Sequence, residues 1–465
     1  MRREEDSLGV MQVDEQVYYG VHTARALANF PLSSRKVRPE IIRALALVKL
    51  AAAETNEALG KLAPDKAQAI AAAALEVASG QWADQFVTDA FQGGAGTSTN
   101  MNMNEVLANL ANERLGAKKG DYTCVHPLDH VNLGQSTNDV YPTALKIALI
   151  QALAALSEAC AELQGAFQKK EAEFAGVVKV GRTEMQDALP VSLGQEFGAY
   201  AEALSRDRWR LYKVEERLRQ VNLGGTAVGT GINADRRYTA MMMEKLRSLT
   251  KIGLARAENL IDATQNADVY VEVSGLLKAM AVNLAKISAD LRLLSSGPRT
   301  GLGEITLPAR QAGSSIMPGK VNPVMTEMMT QASFQVMAAD WAITLAAQAG
   351  QLELNAFLPL IGENLFEALE LLTNGAGLFA RHCIRDITAN REQCAALVER
   401  SLGLAALLVP ALGYDRAAEL AKQAACENKT LREVLLTEAI MDEETVAQLF
   451  APQKMLRAEM TPDGR

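Results

Sequence analysis

Proline is missing from three long stretches of this chain, between Pro142 and Pro190, between Pro190 and Pro298, and between Pro323 and Pro359. A helix interior rejects proline, whose ring removes a backbone donor and clashes with the preceding turn, so these spans have room for helices far longer than the globular average. Within the first span Leu149, Leu153, Leu156, Cys160, Leu163 and Phe167 recur at alternating four- and three-residue steps. That spacing lays one apolar seam along a helix and predicts side-by-side packing with other long helices. The segment Val269 to Leu294 is apolar on several faces, as in a helix buried within a bundle.

Breaker-rich stretches at Gly224 to Asn233, Ser295 to Gly303 and Gln311 to Pro323 separate these spans. The reading is a mainly α chain in three parts: an N-terminal, mainly helical domain over 1–138, a central bundle of long helices over 139–392, and a small C-terminal helical domain over 393–465. Ile387-Thr388-Ala389-Asn390 marks the exit from the bundle.

Composition agrees. Aromatics make up only 5% of the chain, while Ala, Leu, Glu and Met are plentiful, which favours helix over sheet. A net charge of −8 with no Lys/Arg run argues against nucleic-acid binding. The five cysteines are scattered without a C-x-x-C pair, which predicts reduced thiols in a cytoplasmic protein rather than a disulfide framework or thiolate zinc site. Met1 to Asp6 lacks the apolar core of a secretory signal, and no apolar run reaches membrane-spanning length; the nearest, Leu402 to Leu412, is interrupted by Pro410.

The densest chemistry lies in Gly313-Ser314-Ser315-Ile316-Met317-Pro318-Gly319-Lys320-Val321-Asn322-Pro323. Asn322 is a favourable helix N-cap and Pro323 a favourable first helical residue. A helix N-terminus beside Lys320 suits a carboxylate, or a negative charge that develops during reaction. Gln92 to Thr97 and Gly224 to Gly231 look superficially like nucleotide loops, but the first lacks the Gly-Lys-Ser/Thr ending and the second follows no strand. Thr97, Ser98, Thr99 and Asn100 can cap one helix, and Ser136, Thr137 and Asn138 another, the one expected after Pro142.

Five motifs then occur in order: Tyr18-Tyr19-Gly20-Val21-His22-Thr23, Gly96-Thr97-Ser98-Thr99-Asn100, Gln135-Ser136-Thr137-Asn138-Asp139, Gly181-Arg182-Thr183, and the Gly313–Pro323 loop. In these the chain resembles the aspartase/fumarase superfamily, and within it the aspartate ammonia-lyases, from about Arg3 through Gln453. The resemblance implies a three-domain fold whose long helices assemble into the core of a homotetramer with active sites shared between subunits. It implies conversion of L-aspartate to fumarate and ammonia without an organic cofactor; the four scattered histidines, His22, His126, His130 and His382, argue separately against a metal site. Ser314 would be the base that removes the C3 proton. Lys320 and Asn322 would grip the carboxylate that takes up the charge, with Thr183 a third contact. Thr97, Ser136, Thr137 and Asn138 would hold the substrate's carboxylates and amino group, using hydroxyls and amides that bind carboxylate without adding a titratable group. Glu327 matches a carboxylate that orients its neighbours.

Glu184 departs from the pattern, since fumarases have histidine there and some aspartases glutamine; it is expected to face the substrate ammonium, with Glu327 near enough to share a proton. His126-Pro127-Leu128-Asp129-His130 lacks the asparagine of the secondary carboxylate site in fumarases, so its histidines read as structural. A class II-type fumarase is the near alternative, disfavoured by Glu184 and by Ala349 to Asn355, which is closer to aspartases. A non-catalytic structural protein on this scaffold is the remote one, disfavoured by the intact Ser314, Lys320, Asn322, Thr183 and Asn138.

Overall fold

Five long helices dominate the computed structural model, which describes residues 1–456: Thr137–Glu173, Leu193–Leu218, Asp268–Leu294, Val324–Gln348 and Leu358–His382. The chain divides into two compact units, one of Met1–Ser157, Trp209–Ala281 and Phe334–Leu372, the other of Glu158–Arg208, Val282–Ser333 and the chain from Thr373 onward. Each long helix has one end in either unit. The expected seam is buried along its whole length, with Leu149, Leu153, Leu156, Cys160, Leu163 and Phe167 all at 2% exposure or less.

In the first unit, Pro39–Ala58 and Pro64–Ala78 both begin on a proline, whose missing donor would be unpaired there in any case. They pack on each other through alanine-rich faces, and the first also packs on Arg236–Thr250. The helix Thr97–Arg114 carries Glu105 inward, where its carboxylate accepts from the N–H groups of Gly20, His22 and Thr23 and the hydroxyl of Thr23 at 2.6–3.1 Å. This is the physical content of the Tyr18–Thr23 motif: its backbone is tied to one buried carboxyl. Burial pushes that carboxyl up to about 7, while the four donors pull it back.

In the second unit, Phe167, Phe174, Phe197 and Tyr200 form a cluster with ring centroids 5.2–5.9 Å apart. The small helices beyond Arg391 close over their own core, which includes Val398, Leu404, Leu408, Leu420, Leu431 and Leu435.

Several features depart from the sequence reading. Arg2–Asp6 pairs with Gly9–Val13 as a hairpin in the part expected to be helical, and Val178–Thr183 pairs with Gln186–Ser192 as a second. The helix expected after Pro142 begins earlier, at Thr137. Pro142 cannot donate to the carbonyl four residues back, but Asn222 Nδ2 donates to that Asn138 carbonyl at 2.9 Å, so the helix runs through the proline without an orphaned acceptor. The same helix is, by length and composition, apolar enough to cross a membrane, contrary to the expectation that no stretch would be; 56% of its most apolar window is buried inside the fold, the property of a core helix.

Candidate active site

The candidate residues fall into two groups, one in each unit. In the first unit, Gly96 takes φ +93 and lies so close to Tyr141 that a Cβ there would sit 2.6 Å from the ring. Only glycine fits, and it brings Thr97 to the helix start, where its exposed hydroxyl donates to the Gly94 carbonyl at 2.7 Å. Ser136, Thr137 and Asn138 open the next helix. Ser136 Oγ accepts from Asn138 N at 3.2 Å, and Ser136 N donates to Asp139 Oδ1 at 3.0 Å, so capping and site placement coincide in these residues. Asn138 Nδ2 donates to the Ala227 carbonyl at 2.7 Å. Thr137 Oγ1 accepts from Asn100 Nδ2 at 3.0 Å.

Asp139, assigned no role from sequence, ties this start to the glycine-rich stretch. Its second oxygen accepts from Gly224 N and Thr226 N, both at 3.1 Å. Burial pushes its carboxyl up to about 6, opposed by the three backbone donors and by Lys49. A cavity of about 630 Å³ lies beside it, lined by Ser136, Asn132, Gln135 and the 226–233 stretch. The glycine-rich loop therefore shapes a pocket at Ser136, and the nucleotide-like reading of it is not needed. The Ser-x-x-Asp spacing of 136–139 was the available signal for Asp139. Lys49 also escaped notice; its signal was a lone charge inside the apolar run Leu45 to Ala53.

In the second unit, Thr183 ends a strand and Glu184-Met185 form the two-residue turn to Gln186. Both turn residues take positive φ, 53° and 66°, where Asn-Gly would be the unstrained choice. Thr183 and Glu184 are exposed, and neither side chain has a hydrogen-bond or ion-pair partner among the described residues; Glu184 makes no contact there with Glu327. Glu327 instead faces Arg292 at 4.0 Å. The hairpin base is held by charge: Arg182 Nη1 donates to Glu304 Oε1 at 2.9 Å, and Lys179 lies 3.3 Å from the other oxygen of this fully buried carboxylate.

The loop 313–323 is clamped at its neck. Gly313 N donates to the Lys320 carbonyl at 2.7 Å, and Asn322 Nδ2 donates to the Gly313 carbonyl at 2.9 Å. This corrects the expected cap: the Asn322 amide closes the loop, the helix begins at Val324, and the Pro323 carbonyl takes the first helical bond from Glu327 N. Upstream, Arg310 anchors the strand of chain entering the loop to the His382 carbonyl and to Asp386, both at 2.6 Å. Inside the loop Ser314 Oγ accepts from Ile316 N at 3.1 Å and Met317 N at 2.9 Å. Lys320 is exposed, with no side-chain partner among the described residues. His126 is structural as expected, its Nδ1 accepting from Leu128 N and Asp129 N.

Comparison with known proteins places these groups in context. A family profile described as lyase matches residues 9–338, and one described as the fumarase C C-terminus matches residues 404–457. Aspartate ammonia-lyases of Pseudomonas aeruginosa and of a Bacillus species are 48% and 47% identical to the chain, over 99% and 98% of it and 98% and 97% of their own lengths. Among solved structures, the fumarate lyase:delta crystallin of Brucella melitensis bound to cobalt superposes with a TM-score of 0.96 at 48% identity, covering 98% of this chain and 100% of that one. The class II fumarase of Schistosoma mansoni superposes at 0.94 with 38% identity and 98% coverage of both chains.

Proposed function

Because the chain belongs to the aspartase/fumarase family of lyases, we propose that it is an aspartate ammonia-lyase, releasing fumarate and ammonia from L-aspartate, reversibly. The C3 proton of aspartate is weakly acidic, so its removal needs a base and a fixed positive environment for the enediolate. Ser314, as its oxyanion, takes that proton. The electron pair passes into the adjacent carboxylate, whose second negative charge Lys320, Asn322 and Thr183 stabilise. Return of the pair forms the C2–C3 double bond as the C2–N bond breaks and ammonia leaves.

The observation that carries this reading is the pair of backbone donors on Ser314 Oγ. Serine is too weak an acid to act as a base in water, but two N–H groups aimed at the oxygen, with Lys320 on the same loop, favour its ionised form. Thr97, Ser136, Thr137 and Asn138 bind the substrate's carboxylates and amine, Glu184 faces the ammonium, and Glu327 orients the loop from the first turn of its helix. We further propose a cytoplasmic homotetramer of three-domain subunits (1–138, 139–392 and 393–465), in which the two groups of residues meet in sites shared between subunits. The test is fumarate absorbance with L-aspartate and with L-malate as substrates. Aspartate turnover well above malate turnover supports the proposal, and the reverse makes the protein a fumarase.

A further inference from the structure

We infer that a relay of donor and acceptor contacts, beginning at the buried Lys49 and passing through Asn132 and Asn100, fixes the Thr137 hydroxyl as a hydrogen-bond donor toward the substrate. The inference rests on Thr137 being a carboxylate ligand, as proposed above.

Lys49 is 1% exposed, and its Nζ bonds to Asn132 Oδ1 at 3.0 Å and Gln135 Oε1 at 2.9 Å. Burial pulls the Lys49 ammonium down to about 7, with Asp139 opposing; in its charged form it has only donors, so the atoms facing it are then the amide oxygens. That settles the orientation of Asn132, whose nitrogen donates to the Gln135 carbonyl at 3.2 Å. Asn132 Oδ1 now faces the amide of Asn100 at 3.3 Å, and only the NH₂ end of that amide can meet an oxygen. Asn104 Nδ2 approaches the same oxygen at 3.3 Å and adds to the demand for donors there.

The second hydrogen of Asn100 Nδ2 reaches Thr137 Oγ1 at 3.0 Å. A hydroxyl with one lone pair occupied by a donor keeps its proton free to point elsewhere. Asn100 is 1% exposed and Thr137 is half-buried, and the Asn100 amide is the bond that Thr137 Oγ1 makes among the described residues, which leaves the hydroxyl proton uncommitted. A carboxylate offers acceptors only, and a hydroxyl held as a donor is the polarity it requires.

The cost of this orientation is visible. Asn100 Oδ1 and Asn104 Oδ1 are buried with no hydrogen-bond partner among the described residues. The nitrogens of both amides are committed to oxygens, so their own oxygens face away from those donors and bear a desolvation cost. Turning the Asn100 amide over would bring its oxygen against Asn132 Oδ1 and would draw the Thr137 proton inward, away from the substrate. Asn100 is thus a positioning residue that acts through Thr137, and Lys49 sets the direction of the chain of contacts.

The experiment is a double-mutant cycle on the full-length enzyme, read as the dissociation constant for succinate and KM for aspartate, with circular dichroism and oligomer size as folding controls. Asn100→Leu removes the NH₂ donor without adding a charge. It should weaken dicarboxylate binding about tenfold in the parent, and no more than about twofold in a Thr137→Val background, because the two changes remove the same contact. Thr137→Val alone should also cost about tenfold. Asn100→Ala and Lys49→Met enter the same cycle and keep the test open if the leucine variant does not fold; both should likewise lose most of their effect in the Thr137→Val background. If Thr137→Val weakens binding but every partner variant keeps its full factor in that background, the relay is overturned and the ligand role of Thr137 stands. If Thr137→Val leaves binding unchanged, Thr137 is not a carboxylate ligand and the premise itself falls.

Discussion

The neck of the Ser314 loop offers a test in which catalysis and stability should separate. A Cβ added to Gly313 would lie 2.6 Å from the Lys320 carbonyl oxygen, 2.9 Å from Asn322 N and 3.0 Å from the Lys320 carbonyl carbon. Non-bonded heavy atoms settle near about 3.5 Å, so Gly313→Ala must open the neck by roughly 0.9 Å. The displacement falls on the two hydrogen bonds that close the loop, and it is passed to Ser314, Lys320 and Asn322 together. A misplacement of about 1 Å at reacting groups costs on the order of a hundredfold in rate, or about 2.7 kcal/mol. The rest of the fold should hardly notice, because Ser315 through Val321 are exposed and little packing depends on them.

Gly313→Ala should therefore lower kcat for fumarate formation about a hundredfold, with a thermal unfolding midpoint close to the parent's. Gly319→Ala is the companion. It sits in the same loop at φ +80 with no atom within 4 Å of the added carbon, so it strains the backbone by about 1–2 kcal/mol without wedging the neck. Its kcat should fall far less. A Gly313→Ala enzyme within about threefold of the parent kcat, or one whose loss is matched by Gly319→Ala, would refute the claim that the neck sets the catalytic geometry.

Ser314→Ala should nearly abolish turnover, and near-normal kcat would remove Ser314 as the base; the half-buried hydroxyl leaves folding and assembly unaffected. Glu184→Gln should weaken aspartate binding but leave succinate, which lacks the amine, bound equally well or better; isothermal titration with both ligands separates this from a general loss. Thr183→Val and Ser314→Ala proteins, each nearly inactive, should regain activity when dissociated, mixed and reassembled, whereas inactive mixed tetramers would show that each site is built within one chain. Arg114, then the Trp82 indole, hold the Glu76 carboxyl below its ordinary value. That contribution is present above the ordinary carboxylate pKa and is lost as pH falls through the lowered one, so unfolding midpoints of Glu76→Gln should fall less steeply than the parent's from about pH 5 to about pH 3.

The long helices were legible because their signals are repeated. Six seam positions from Leu149 to Phe167 each report the same face, and no single substitution hides the period. The two hairpins were not, because each rests on a few residues whose signal competes with surrounding helix formers. Val178, Val180 and the run to Ser192 carry weak alternation, and the turn between them has no glycine or asparagine to announce it. Motif order pointed to candidate site residues, but not to what each side chain would touch.

Asn322 shows why contacts stayed hidden. Its amide can cap the helix or close the loop, and both partners lie within reach in sequence; the winner depends on where the Gly313 carbonyl comes to rest, which only the folded loop decides. Asn100 is the same case in the core, since its orientation follows from a lysine fifty-one positions earlier in the chain that no local rule connects to it. Glu184 and Met185 break the turn rule outright by holding left-handed backbone without glycine. Left-handed backbone without glycine also occurs elsewhere, at Trp82, Lys251, Leu352 and Asn428 among others, but in the Ser314 loop, at the start of the Thr137 helix and at the tip beyond Thr183 the hidden contacts fall on motif residues. At each of these places a local preference yields to a contact made from a distance, and that is why residue type alone did not announce the partner.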